Sequence, residues 1–511
     1  MQYDQENTAQ ARYSQCILDR ELFLDRARDS SELTIPTLFP PSGYNSSTKY
    51  PTPYNSIGAR AVNNLASKLL IALLPPNEPF FRLKIDEYAL KDMNADPDIK
   101  TELEKALSGI EKAVMMDIET NADRVAIFES LKHLIVGGNV LLFVSQEGVR
   151  VFDLSRYVVK RDPMGNVLEI ITKETVAHNV LDDKIQQAIE SKYNGEEKNC
   201  DIYTHVKRIK DKFFVYQEIK GIKLPDSEGL FAIDKSPYIP LRWNRLDGEN
   251  YGRGMCEEYL GDIQSLESLT KAIVEGSAGA SKMLFMVSPN GSTRAHKIAQ
   301  SPNGAIIEGS ANDVSVLQAN KFNDFRVAQE TIGRIEQRLQ MAFMLNASVT
   351  RQAERVTASE ISFLAKELED SLGGVYSILS VEFQLPFVAR KIAMMEKKKQ
   401  LPKLPKGIVK PSIITGLEAL GRGNDKNKII SFLTTIGNVL GPEALKQFVN
   451  VSDAITRLAT AEGIDPDGLI RTEEELNAEL QQQQLQQVAQ NVDPEQVQQL
   501  ANQVAQQTQG Q

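Results

Sequence analysis

The segments YGRGMCEEYLGDIQSLESLTKAIVEGSAGAS (251–281) and NKFNDFRVAQETIGRIEQRLQMAFMLNASVTRQAER (320–355) decide the architecture of this chain. In the first, Tyr259, Ile263, Leu266 and Ile273 recur at helical spacing and predict a helix over 251–282. It runs out in EGSAGAS (275–281), whose small side chains let two backbones approach. In the second, Phe325, Ala328, Ile332, Ile335, Leu339 and Ala342 recur at a spacing of 3,4,3,4,3. That period predicts a helix over 322–345, about 36 Å long at ~1.5 Å per residue. Between the two, MLFMVSPNGSTRAHKIAQSPNGAIIEGS reads as a short β-like module with a turn at each Pro-Asn-Gly.

After the second helix, NASVTRQAER (346–355) is a polar interruption. Thr357-Ala-Ser-Glu360 is a capping box and opens a long helix, with Ile361, Leu364, Leu368, Leu372, Val375 and Leu379 as its apolar stripe. Gly373-Gly374 predicts a bend in it and Pro386 a kink.

Toward the N-terminus, Gln15–Arg28 reads as an amphipathic helix, and TIPTLFPPSGYNSSTKYPTP excludes a long regular element. A helix follows from Ser56 to Leu74. Asn55 and Ser56 are its N-cap candidates, Ile57, Ala61, Leu65 and Leu69 line one face, and Pro75-Pro76 stops it. FFRLKI (80–85) reads as a strand and 98–133 as two helices. The runs from Gly137 to 245 alternate as strands of an antiparallel sheet, with turns at Asp162-Pro163-Met164-Gly165 and Asn194-Gly195.

Toward the C-terminus, Pro402, Pro405 and Pro411 mark a boundary, 412–480 reads as a compact helical unit, and 15 of the last 31 residues are Gln. The fold class is α+β, predominantly helical.

The 511 residues are 41% hydrophobic and 25% charged, the balance of a folded protein rather than a disordered one. No apolar run approaches the ~18 residues of a membrane span, and the N-terminus lacks the pattern of a signal peptide. Cys16, Cys200 and Cys256 are scattered, with no CxxC, and read as reduced thiols. Net charge is −10, so contact with nucleic acid is expected to be local or weak. Residues 391–410 carry seven Lys against one Glu. This cluster reads either as a solvated helix end or as a ring of positive charge against DNA or an acidic partner.

Catalytic patterns are missing. There is no Gly-Lys dipeptide, hence no phosphate loop of the Walker type, and neither GxSxG nor HExxH occurs. His133, His178, His205 and His296 have no metal-ligand spacing. Gly252-Arg-Gly254 and Gly421-Arg-Gly423 are loop punctuation, and Glu257-Glu258 and Glu367/Glu369/Asp370 read as solvated helix faces. No catalytic, cofactor or metal site is predicted.

The segments TIPTLFP (34–40), IGARAVNNLASKL (57–69), YGRGMCEEYLGDIQSLE (251–267), ERVTASEI (354–361), ELEDSLGGVYSILS (367–380), QLP (384–386) and TGLEALGRG (415–423) closely resemble the head-to-tail connector (portal) proteins of T7-like podoviruses. The resemblance fades in the first thirty residues and in the Gln-rich tail.

It implies a ring of identical subunits, a dodecamer in the family, around a central DNA channel at one capsid vertex. It also implies an order of parts: 1–250 a wing, 251–282 and 322–345 the stem helices, 283–321 a clip, 346–356 a tunnel loop, 357–409 a long wing helix and basic linker, 410–480 a crown and 481–511 a flexible tail. The implied partners are double-stranded DNA, the terminase large subunit, the tail adaptor or tail tube protein, the major capsid protein and scaffold, and internal core proteins. The implied location is the virion, after synthesis in the host cytoplasm.

Arg351, Arg355 and Asn346 in the loop and Arg334 and Arg338 in the stem are the candidate channel residues. The arginines alternatively bond to neighbouring subunits. Phe325, Ile332, Ile335, Leu339, Ile263 and Leu266 are expected to pack the stem. A tail adaptor or internal scaffold is the competing structural reading, and a cytosolic enzyme the competing functional one.

Overall fold

Thr8 opens the first helix, α1 (Ala9–Glu32), its hydroxyl oxygen accepting from the amide of Ala11 at 3.1 Å. In this computed structural model the described residues are 8–41, 43–44, 47–76, 79–85, 97–189, 199–280, 284–317, 322–345, 367–402 without 369 and 373, 409–413, 429–439 and a few isolated positions beyond. The chain divides into two units, Met1–Gly416 and Leu417–Gln511, and in the second residues 429–439 are helical.

Helix α1 is longer than the Gln15–Arg28 expected from periodicity, for a tertiary reason. The buried carboxylate of Glu218 accepts from the amides of Ala9 and Gln10 at 2.9 and 3.3 Å, meeting donors that a helix start leaves without partners. Ala9, Tyr13 and Cys16 then pack on Val158, Ile171, Tyr203 and Tyr216, while Leu24 and Ala27 join the main core.

Helix α2 (Ile57–Leu73) buries Ile57, Ala61, Leu65 and Leu69 as predicted. Ser56 holds the N-cap position without a side-chain bond, and Asn55 acts instead, its Oδ1 accepting from the amide of Ile57 at 2.7 Å. At the other end the chain's own side chains meet the last carbonyls. The Tyr376 hydroxyl donates to Ala72 at 3.2 Å, Gln384 Nε2 to Leu73 at 2.6 Å, and the Arg124 guanidinium to Leu74.

Strand β1 (Phe81–Ile85) comes next, then α3 (Pro97–Thr120) and α4 (Asp123–Gly137), the two helices expected over 98–133. Then follow β2 (Asn139–Ser145), β3 (Gly148–Phe152), β4 (Tyr157–Arg161), β5 (Val167–Ala177), a short helix α5 (Asp183–Ile189), β6 (Asn199–Ile209), β7 (Lys212–Ile219), β8 (Ile222–Lys223), β9 (Gly229–Ala232) and β10 (Tyr238–Arg242). They form a three-stranded sheet in the order β10-β2-β3 and a six-stranded sheet β4-β5-β6-β7-β8 with β9 also on β7. Every pair is antiparallel, as the alternation predicts. The turn at Asp162 is present, with Gly165 at φ +86°; Asn194-Gly195 lies outside the described residues.

The segment Tyr251–Gly254 is threaded against the end of α4. A Cβ on Gly254 would lie 2.5 Å from the Val136 carbonyl oxygen, and one on Gly138 would collide with the backbone of Arg253 and Gly254. Asn139 locks this crossing: its amide donates to Gly252 O and its Oδ1 accepts from Gly252 N, both at 2.7 Å. The glycines of GRG therefore serve backbone contact. Tyr251 itself is buried, its hydroxyl accepting from Val159 N at 3.1 Å. Gly421-Arg-Gly423 lies outside the described residues.

Beyond a turn of helix, α6 (Met255–Glu258), come α7 (Leu260–Ala280), β11 (Leu284–Val287), a short helix α8 (Ala295–Gln300), β12 (Val314–Leu317) and α9 (Phe322–Ala342). Strands β11 and β12 pair antiparallel, and α7 and α9 pack together. The last part of the first unit holds α10 (Gly374–Leu379), a π-helical turn Ser380–Gln384, α11 (Leu385–Lys397) and β13 (Val409–Ile413). The irregularity around Pro386 is this π turn, in which Leu385 N donates to Ser380 O, so the helix runs on through the proline. The capping box at Thr357 lies outside the described residues.

Two expectations are corrected. The boundary expected at Pro402, Pro405 and Pro411 falls a few residues later, between Gly416 and Leu417: Pro411 sits inside β13, which pairs antiparallel with β1, Leu83 opposite Pro411. A two-stranded ladder leaves one edge of each strand unpaired, which accommodates a proline. The lysine cluster is also not uniformly a solvated or DNA-facing patch. Lys391 is 1% exposed and its ammonium lies 2.9 Å from Asp117 and 2.5 Å from Asp123, because α11 turns Phe387, Val388, Lys391, Ile392 and Met395 into the core together. Lys397, Lys398 and Lys399 are exposed at the helix end. Burial pushes the Asp123 carboxyl up despite its bond to Lys391.

All three cysteines are buried free thiols. Burial drives the Cys256 thiol well above its usual range. Among the described residues no helix is long and apolar enough to cross a membrane.

Candidate functional site

The helix pair α7–α9 with the β11–β12 ribbon between its helices is the most distinctive feature of the chain. Its seam is that of the sequence pattern. Ile263, Leu266, Ile332, Ile335 and Leu339 are all at most 8% exposed and belong to the main hydrophobic core. Fully burying one such side chain contributes about 1.5–3 kcal/mol. Phe325 is half-buried and lies over Gly276, where a Cβ would come within 2.8 Å of its ring; this is the close approach that EGSAGAS foreshadows.

Away from the seam the pair is open. Val274 of α7 and Val327 and Met341 of α9 are exposed, and a shallow groove runs between Gly261, Ser265, Ser268, Thr331 and Ile335. Arg334 is exposed. Arg338 reaches Asp262 of α7 at 2.6 Å with more than half its side chain in solvent, a pairing worth about 0–1 kcal/mol. The structure thus places both arginines expected in the second helix on the surface of α9, one of them tied within its own chain. Asn346, Arg351 and Arg355 lie outside the described residues.

The pair is fastened to the first helices by contacts that periodicity does not reveal. Glu267 of α7 accepts from the amides of Tyr54 and Asn55 at 2.7 and 3.0 Å, and the Tyr54 hydroxyl donates to Glu275 at 3.2 Å. Asn64 of α2 donates through Nδ2 to the carbonyls of Phe343 and Met344 at 3.3 and 2.9 Å, and Tyr259 meets Phe343 edge-on at 5.5 Å. A polar residue on a mostly apolar helix, as Asn64 is on α2, is the one signal that points to such a bond.

The β11–β12 ribbon carries its own staple. Asp313 accepts from the amide of Thr293 and from the hydroxyls of Ser292 and Thr293 at 3.0–3.2 Å, which holds its carboxyl below the usual range. The turns expected at the two Pro-Asn-Gly triplets are present, Gly304 at φ +82°. Phe285, Met286 and Ile306 are exposed.

Among the described residues nothing has the shape of catalytic machinery. Glu257 pairs with Arg26 and Arg253, Glu367 lies near Lys68, and no cluster of metal-ligating side chains occurs among the described residues. His205 is a satisfied core residue, its ring nitrogens 2.7 Å from Glu169 and 2.9 Å from the Tyr216 hydroxyl.

Comparison with known proteins gives a consistent result. Residues 6–470 match the family described as bacteriophage head to tail connecting protein. The portal protein of Escherichia phage T7 is 42% identical over 492 residues, covering 94% of this chain and 91% of its own length. That of Enterobacteria phage T3 is 42% identical over 487 residues, covering 93% and 90%. That of Enterobacteria phage SP6 is 32% identical, covering 81% and 80%. Among solved structures, a chain of the neck of an empty gene transfer agent particle aligns with 81% of this chain and 91% of its own, at TM-score 0.39 and 10% identity.

Proposed function

The chain belongs to the family of bacteriophage head-to-tail connecting proteins, the portals of T7-like podophages, and from that premise we propose how its parts serve a DNA conduit. The portal is a structural, non-enzymatic component of the virion at the head–tail junction, and the family implies a ring of identical copies.

In our reading the ring is a dodecamer at one capsid vertex, through which double-stranded DNA enters during packaging and leaves during ejection. Residues 1–250 form the wing, α7 and α9 the stem, 283–321 the clip, 346–356 the tunnel loop, 357–409 the return to the wing, 410–480 the crown and 481–511 a tail. The clip docks the terminase large subunit during filling and the tail adaptor or tail tube protein afterwards; its exposed Phe285, Met286 and Ile306 supply apolar contact area. Capsid protein, scaffold and internal core proteins meet the outer and inner parts. The observation that carries the reading is the α7–ribbon–α9 order: two helices sealed along one seam, with a paired β-ribbon between them.

Duplex DNA carries a charge every ~1.7 Å, so a continuous basic lining would bind it and stall it. A chain of net charge −10 with a few local cations suits passage. Arg351, Arg355 and Asn346 are assigned to phosphate contact in the loop, and Arg334 and Arg338 to the stem. Negative-stain images of the purified protein are expected to show rings with a central hole; compact monomers or dimers would refute the portal assembly. Particles built with Arg351→Ala plus Arg355→Ala are expected to lose DNA retention or packaging, and unchanged values would remove DNA contact from these two residues.

A further inference from the structure

Helix α9 ends in a way its own sequence does not favour. Leu345 N donates to Gln340 O at 2.8 Å and Met344 N to Met341 O at 3.2 Å, the paired 6→1 and 5→2 bonds of a Schellman stop. Such a stop needs a left-handed residue at its turning point, normally glycine. Here that residue is Met344, at φ +51° and 3% exposed. A long side chain in this region is disfavoured, because its Cβ crowds the backbone. Left alone, α9 has little reason to stop at this residue rather than fray or run on.

The missing preference is supplied from α2. Asn64 Nδ2 donates to the carbonyls of Phe343 and Met344, the two oxygens that flank the left-handed turn. Donors there also oppose the negative end of the helix dipole. The surroundings hold the turn in place: Phe343 is fully buried against Tyr259, and the Met344 side chain is in the core.

We propose that Asn64 is a positioning residue for the channel: it fixes where the second stem helix stops, and so the point and direction at which the chain leaves the stem. Only the functional consequence rests on the stem reading above; the latch itself is a property of residues 64 and 340–345. It couples the wing to the stem at one hydrogen-bonding side chain, and its cause is specific. Asn64 is needed because Met344 is a poor residue for the left-handed position.

That cause makes the idea testable by coupling the two positions. Amide exchange is measured on assembled full-length rings of five proteins: the native chain, Asn64→Ala, Asn64→Asp, Met344→Gly, and Asn64→Ala combined with Met344→Gly. Asn64→Ala is expected to speed exchange at Met344 and Leu345 about tenfold, the effect of losing roughly one bond's worth of local stability, while 263–270 and 332–339 keep their protection. Met344→Gly empties part of the core but takes the turn without strain, so Asn64→Ala is expected to change exchange at Leu345 far less in the Met344→Gly background than in the native chain, and DNA retention in particles to follow the same pattern. Asn64→Asp keeps the size of the side chain but faces both carbonyls with an acceptor, and is expected to open the stop at least as much as Asn64→Ala.

Unchanged exchange in Asn64→Ala and Asn64→Asp, or an Asn64→Ala effect as large in the Met344→Gly background as in the native chain, overturns the latch. Asn64→Ala rings whose stop is opened but whose DNA retention equals the native value overturn the functional coupling. Absence of rings from the native chain strikes instead at the portal reading, which keeps the failures distinct.

Discussion

The guanidinium of Arg242, at the end of β10, meets the carboxylate of Glu382 in the π turn at 2.7 Å, with the arginine side chain 2% exposed and the glutamate 19%. This pair joins the three-stranded sheet to the helix that returns across it. A buried charge without its partner is costly, so Glu382→Ala is expected to destabilise the chain by about 3–5 kcal/mol. Replacing both residues, Arg242→Met with Glu382→Leu, is expected to cost far less. Denaturant titration of the three proteins tests this; equal losses for the single and double variants would contradict it.

Leu339 is 1% exposed in the seam between α7 and α9. Leu339→Ala is expected to cost about 2–5 kcal/mol by leaving a cavity, and Leu339→Asp to abolish ring formation. Thermal melting and electron microscopy read the two effects. Normal rings from Leu339→Asp would exclude the seam from the stem.

Glu218 holds the first turn of α1 from strand β7. Glu218→Ala is expected to release Ala9–Gln15 while Leu24 and Ala27 keep the second half of the helix docked. The cost is about 1–3 kcal/mol, set by the amides left without an acceptor. Limited proteolysis should then cut within the first turns of α1 and spare residues 20–32.

His133 lies edge-on to Phe39, and burial pushes its imidazole down from 6.5 to about 4. The unfolded chain takes up a proton as pH falls below 6.5, whereas the folded chain stays neutral until about pH 4. Stability is therefore lost across that window and not below it, by about 3 kcal/mol at most. His133→Phe is expected to flatten this part of the pH profile in urea unfolding. Glu169 adds a separate loss at lower pH: burial opposes its ionisation, but His205 and Arg12 outweigh that and hold its carboxyl below 4.5.

Much of the fold is legible because its periodicities are strong. The stripes of α2, α7 and α9 name their own buried faces, and the alternation between 137 and 245 names an antiparallel sheet. What stays hidden depends on residues distant in the chain. Glu218 lengthens α1 from 209 positions away, and β1 finds its partner only at 409–413. Lys391 reads as one more member of a basic run, although its spacing from Phe387 and Met395 already puts it on the apolar stripe of α11. For the site, the helix seam is visible in a 3.5-residue repeat, whereas the contacts of Glu267, Asn64 and Asp313 are single polar residues without a pattern. The name of the family comes from long matching segments.

The burial of Cys16, Cys200 and Cys256 has a practical consequence. A thiol reagent applied to the folded protein meets no accessible sulfur among them, so no cysteine needs to be removed before labelling. One introduced on an exposed face, such as Ser268→Cys in α7 or Gln337→Cys in α9, becomes a unique attachment point. Paired dyes or cross-linkers of graded length then turn the assembled ring into its own ruler, reporting the separation of neighbouring copies as a genome passes.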